Sequence, residues 1–221
     1  MPARLRPTAP IAADAVLVGD PGRALMLAQV LLEQPKMSNH ARGLWGYSGQ
    51  TPAGRELTVQ ATGIGGPSAA LVLADLAELG VRRAIRVGSC TGLDPELRLG
   101  ELLRIVEAHG WGGPGTQDGA VVLPDPGLDE LLRQQLDAGD RAGTVASLDS
   151  IHRGGAPAPV AAGDAADMQT AALLTAGRTL GVALAAVLIV TETSAGGQLG
   201  DEEAELVAKR AGGAAAAVLS A

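Results

Sequence analysis

Short apolar runs alternate along the chain with longer stretches whose apolar positions recur every three or four residues. Ala15–Val18 is a brief run of the kind that fills a buried strand, and it stops at Gly19-Asp20-Pro21-Gly22-Arg23. A helical pattern follows, from Gly22 to Leu32. Residues 55–61 alternate, Leu57 and Val59 against Thr58 and Gln60, as a half-buried strand does. Gly63-Ile64-Gly65-Gly66-Pro67-Ser68 breaks that strand, and a helix apolar almost all round is predicted from Pro67 to Leu79, with proline in its first turn. Further strands are predicted at 83–89, 101–107, 143–148 and 183–191, and further helices at 126–136, 165–180 and 201–219. Asn39 to Gly49, glycine-rich and carrying Trp45 and Tyr47, reads as a hairpin or loop, and the Gly/Pro-rich stretches 110–119 and 154–164 read as loops.

Strands alternating with helices predict an α/β protein, a single domain over 1–221. Its three layers, α/β/α, enclose a central mixed, mainly parallel sheet. On such sheets ligands collect beyond the carboxyl ends of the strands, which selects residues 19–23, 62–68, 86–92, 149–153 and 191–194.

Composition refines the picture. The 221 residues suffice for one large core, and 47% apolar with 19% charged residues is a globular balance. There is no Phe, so burial falls to Leu, Val, Ile and many Ala, and Ala-rich helices must approach closely to exclude water. A net charge of −7 argues against a nucleic-acid partner, which calls for basic stripes. Phosphate handled by such a chain has to be held by a few placed arginines. Cys90 is the single cysteine, so an intramolecular disulfide is impossible. No signal-like or membrane-spanning run is evident, and the cytoplasm is the expected location. His40, His109 and His152 have no ligand spacing, so no metal is expected.

Three segments carry candidate chemistry. In Gly19–Arg23, glycine lets an anion approach the main chain, proline stiffens the turn, and Arg23 at a helix start can fork onto phosphate oxygens. Taken alone, it is as readily an ordinary strand-to-helix turn. Arg86 interrupts an apolar strand, where a guanidinium is costly unless an anion pairs with it, and Ser89 follows at the strand end. Arg42 opens the aromatic, glycine-rich loop. Gly63-x-Gly65-x-x-Ser68 faintly imitates a dinucleotide fingerprint but lacks the acidic residue that should follow.

With Gly19–Ala24 (GDPGRA), Arg42–Gly49 (RGLWGYSG), Ala61–Ala70 (ATGIGGPSAA), Arg83–Cys90 (RAIRVGSC), Ser147–Ser150, Asp167–Ala176 and Leu188–Thr193 in this order, the chain resembles the nucleoside phosphorylase family, which includes purine nucleoside and uridine phosphorylases. The resemblance implies phosphate-dependent cleavage of a nucleoside to free base and (deoxy)ribose 1-phosphate. Inorganic phosphate would be co-substrate and no cofactor would be needed. It assigns Gly19, Arg23, Arg86 and Ser89 to phosphate. Arg42 matches the family arginine that enters the neighbouring subunit's site, which implies a homodimer or larger homo-oligomer.

The sugar and base half departs from the family. Asp167-Met168-Gln169 stands where the family grips ribose with Glu-Met-Glu. Ile64, Met168 and Gln169 are the implied ribose contacts, and the change to Gln169 points to a weaker grip or to another sugar, such as a 2′-deoxy one. Glu192, 24 residues after Met168, takes the position of the aspartate that protonates a departing purine, so purines are favoured slightly over uridine. Cys90, Ile151 and His152 complete the implied base contacts, Ile151 and His152 replacing an aromatic pair. Thr91 replaces a usual glycine, and the N-terminal histidine is missing, with Arg4 and Arg6 nearby. Two other readings stay open: a hydrolytic nucleosidase of the same superfamily, and a homologue that binds nucleoside or sugar phosphate without turning it over.

Overall fold

The computed structural model describes residues 3–111, 120–148 and 163–221. Strand β1 (Asp14–Val18) leads through Gly19 into helix α1 (Pro21–Leu31). The helix starts there because Asp20 caps it, its Oδ1 accepting from Arg23 N at 2.7 Å, and because Pro21 has no N–H to leave unpaired. Strand β2 (Glu33–Asn39), a 3₁₀ turn (Ala41–Gly43), β3 (Gly46–Gln50) and β4 (Glu56–Ala61) form an antiparallel run. Then come α2 (Gly66–Glu78), β5 (Arg83–Gly92), β6 (Leu102–Trp111), β7 (Ala120–Val122), α3 (Pro126–Gln135) and β8 (Arg141–Leu148). The chain closes with β9 (Ala165–Asp167), α4 (Thr170–Leu180), β10 (Ala183–Thr193) and α5 (Asp201–Ser220).

Parallel pairing holds the middle of the sheet, in the order β4-β1-β5-β10. Antiparallel pairs flank it, so the sheet is mixed as expected. The sheet is not simply open, however. From β10 it continues through β6 and β8 to β9, and β9 pairs back onto the far end of β5, Thr91 opposite Ala166. Five strands therefore close on themselves while β1, β4, β3 and β2 extend as a wing. Strand β5 permits this because its first residues pair with β1 and only its last two with β9.

Two cores lie on either side. Val16, Val18, Ile85, Val87 and Val187 pack beneath α1, α3 and α5, and Leu17, Ala84, Leu188 and Val190 beneath α2 and α4. The close approach expected of Ala-rich helices is present. A Cβ added to Gly212 of α5 would lie 2.5 Å from Leu27 Cδ2 of α1, and one at Gly66 would lie 3.0 Å from Ala172 Cβ of α4.

Two expectations are corrected and one is extended. Residues 165–180 are not all helix: Ala165–Asp167 is a strand, and the helix starts at Thr170, because the Asp167 carboxylate accepts from Thr170 N and holds the preceding residues out of the helical path. The hairpin or loop read at 39–49 is the turn of an antiparallel hairpin, from the end of β2 at Asn39 through the 3₁₀ turn Ala41–Gly43 into β3 at Gly46, with β2 reaching back to Glu33. Gly110 and Trp111, read as loop, end β6.

Candidate active site

The carboxyl ends of β1, β4 and β5, the N-terminus of α1 and the β9–α4 turn enclose a cleft of about 630 Å³. Gly19, Arg23, Arg42, Ile64, Arg86, Ser89, Met168 and Gln169 all line it. Residues far apart in sequence and singled out by it thus meet in one place.

Arg23 is half-buried and has no ion-pair partner among the described residues. Burial and the charge of Arg86 push its pKa below the ordinary arginine range, and Asp20 opposes them only in part. Arg23, beside a second guanidinium and without an ion pair of its own among the described residues, favours an anion in the cleft. A helix start with no acidic residue in its first turn adds to the same positive potential.

Arg86 is buried, and its counter-ion is protein: Nη2 lies 3.0 Å from Asp167 Oδ2, with side-chain exposures of 5% and 0%. Nη1 donates to Gln169 Oε1 at 2.6 Å and Nε to Thr170 Oγ1 at 3.0 Å. The anion that the sequence argument required is therefore Asp167 in the first instance. A guanidinium has five N–H groups and three are used here, so one on each terminal nitrogen remains for a ligand. Asp167 in turn accepts from Ser147 Oγ at 2.5 Å and from Thr170 Oγ1 at 2.6 Å. Gly88 makes room for the guanidinium, since a Cβ there would lie 2.5 Å from Arg86 Nη2.

Gln169 is only 3% exposed. Its Nε2 donates to Gly63 O at 2.6 Å and to Gly65 O at 3.3 Å, and its Oε1 accepts from Arg86 and, at 3.2 Å, from Thr62 Oγ1. The turn it holds has left-handed φ values of 75° at Gly63 and 82° at Gly65, which favour glycine. Ser68 Oγ closes the turn by donating to Thr62 O at 2.7 Å. Ile64, 85% exposed, stands at its tip over the cleft.

Arg42 is exposed and sits at φ 60°, a strained value for a residue with a Cβ. Ser89 is exposed at the upper part of β5. Cys90, next along, is not part of the cleft wall: its thiol is buried, burial first and the charge of Asp167 second push its pKa up, and Sγ lies 3.5 Å from Ile189 O. Glu192 is outside the walls of the cleft as the described residues define them. It pairs with Thr91, two positions beyond Ser89, across a β-bulge after Val190, and Thr91 Oγ1 donates to its Oε2 at 3.4 Å. Bulges re-aim side chains in this way. Ile151 and His152 lie outside the described residues.

The model of one family, described as the phosphorylase superfamily, matches residues 14–221. The chain belongs to the phosphorylase superfamily. Its relatives in the superfamily include DeoD-type purine nucleoside phosphorylases of Bacillus thuringiensis (strain Al Hakam) and Bacillus cereus (strain B4264). Each is 31% identical over 200 residues, covering 82% of this chain and 82% of the relative. Among solved structures, the purine nucleoside phosphorylase of Toxoplasma gondii in complex with immucillin-H superposes with a TM-score of 0.84 at 20% identity, covering 95% of this chain and 92% of that one. That likeness establishes the shared fold.

Sequence reasoning missed the residues behind this superfamily cleft: Asp167 as partner of Arg86, Thr62, Thr170, Ser147 and Gly88. A signal for the first was present, since one arginine in an apolar strand requires a buried carboxylate as much as a ligand. Among the described residues no group of three His, Cys, Asp or Glu side chains is placed to hold a metal ion, and no helix is long and apolar enough to cross a membrane.

Proposed function

We propose that this chain cleaves the N-glycosidic bond of a nucleoside by phosphorolysis, giving free base and (deoxy)ribose 1-phosphate, with purines favoured over uridine. The observation that carries the reading is the unpaired, half-buried Arg23 set beside Arg86 at a helix start, with Ser89 on the same cleft. Phosphate fits there as an acceptor-rich anion, taking the forked donors of Arg23, the two spare N–H groups of Arg86 and the Ser89 hydroxyl.

In the proposed step a phosphate oxygen forms the bond to C1′ as the C1′–N bond breaks, its electron pair leaving on the base nitrogen. Positive charge develops on the sugar ring, and the adjacent phosphate stabilises it while attacking. Glu192 acts as the general acid for the departing base. Ile64 and Met168 supply apolar contact to the sugar. Phosphate is the co-substrate, and the reading needs no metal or other cofactor. Arg42 completes the anion site of a neighbouring copy in a homodimer or larger assembly, its exposure and strained backbone being consistent with a contact made only on association.

A purine preference is supported by the similarity to purine nucleoside phosphorylases and by a carboxylate at Glu192. The test is product analysis: inosine, adenosine and uridine with phosphate are expected to release base together with one equivalent of pentose 1-phosphate. Free pentose in place of the phosphate ester would support a hydrolase instead.

A further inference from the structure

Arg42 lies on a turn that two buried amides hold from behind. Arg42 at φ 60° and Gly43 at φ 71° are consecutive left-handed residues, a conformation that a residue with a Cβ rarely adopts unaided. Leu44, the next residue, is fixed twice over. Its carbonyl accepts from Asn39 Nδ2 at 2.5 Å and from Gln60 Nε2 at 2.9 Å.

Both amides are fully buried, and their surroundings set their orientation. Gln60 Nε2 also faces Trp45 O at 3.4 Å and Ala61 O at 2.9 Å, so three carbonyls converge on its two N–H groups. Its oxygen end faces Gly46, where a Cβ would collide with it. Asn39 Oδ1 accepts from Arg6 N at 2.8 Å, which leaves Nδ2 for Leu44 O and, at 3.4 Å, Ala41 O. Neither amide lines the cleft. What they fix is the main chain that carries Arg42, and a long cationic side chain meets an anion only as accurately as its backbone is held.

We propose that Asn39 and Gln60 are positioning residues that hold the Arg42 turn in its left-handed conformation and so present the guanidinium to phosphate. The inference rests on the phosphorolytic reading above, with Arg42 on phosphate, and adds the two amides that aim it. It holds for a guanidinium serving its own cleft or a neighbouring copy's, since one turn sets its Cα in both.

The test measures kcat and the KM for inorganic phosphate in Arg42→Met, Asn39→Asp, Gln60→Met and the two double variants with Arg42→Met. Folding is checked by circular dichroism. Asn39→Asp keeps the acceptor for Arg6 N and loses the N–H groups for the turn, while Gln60→Met keeps the volume and loses its donors. Arg42→Met is expected to raise the phosphate KM about tenfold, and each amide variant about threefold or more, with kcat changed far less. On top of Arg42→Met the amide changes are expected to add nothing. A wild-type phosphate KM in the folded amide variants, or an equal rise in the double variants, would overturn the positioning role and leave phosphorolysis standing. Failure of both amide variants to fold would make the amides purely structural and overturn it too. An unchanged KM in Arg42→Met would remove Arg42 from phosphate, and the inference with it. No phosphate-dependent release by the wild type would overturn the phosphorolytic reading and the inference together.

Discussion

Asp167 Oδ2 lies 3.0 Å from Arg86 Nη2, and both side chains are shut away from solvent. The pair joins the end of β5 to the start of α4 and holds in place the guanidinium that faces the cleft. One carboxylate thus caps a helix, neutralises a buried cation and aims the cation's remaining donors.

The first prediction follows from that pair. Asp167→Asn keeps the shape but leaves Arg86 without its counter-ion, and breaking a buried pair from one side costs about 3–5 kcal/mol. A urea melt should show the loss as a lower midpoint. Added phosphate should recover more stability in the variant than in the wild type, because it supplies a replacement anion.

Arg23 is expected to trade stability for binding. Its pKa is lower in the fold than in the unfolded chain, through burial first and Arg86 second. The fold therefore holds its proton less well, and the penalty applies at every pH below the folded value, pH 7 included. Arg23→Met should raise the ligand-free melting midpoint while weakening phosphate binding by about tenfold or more. A drop in ligand-free stability would contradict this.

Gly88→Ala tests the geometry of the hub. The added methyl would lie 2.5 Å from Arg86 Nη2 and 2.7 Å from Leu188 Cδ2, so the guanidinium must move. Overpacking of this kind costs about 1–3 kcal/mol, and the displaced arginine should raise the phosphate KM. An unchanged KM would place Arg86 outside the phosphate site.

Glu192→Gln removes the proposed acid and leaves its size. Cleavage of purine nucleosides should fall about 10²–10⁴-fold, while phosphate protection against thermal unfolding persists. Full turnover in the variant would remove Glu192 from the chemistry.

The fold was legible in the sequence where periodicity was strong. The apolar runs at 15–18, 83–89 and 183–191 are the parallel centre of the sheet, and α1, α3 and α5 begin at the prolines and the aspartate that mark them. The closing of β9 onto β5 was not legible, because Ala165-Ala166-Asp167 is too short and too helix-prone to read as a strand, and its pairing is with residues far away in sequence. The cleft was legible as a set of positions. Its internal bonding was not: Gln169 reads on the chain as a ligand contact, yet its hydrogen bonds go largely to protein, which only the approach of Gly63, Gly65 and Arg86 reveals.

The central claim is that the cleft holds phosphate as the attacking group. Base release from a nucleoside panel, assayed by the purified chain before and after exhaustive removal of phosphate, tests it most directly. Release should depend strictly and saturably on added phosphate, with pentose 1-phosphate formed in step with base. Release that continues at the same rate in phosphate-free buffer, yielding free pentose, would contradict it.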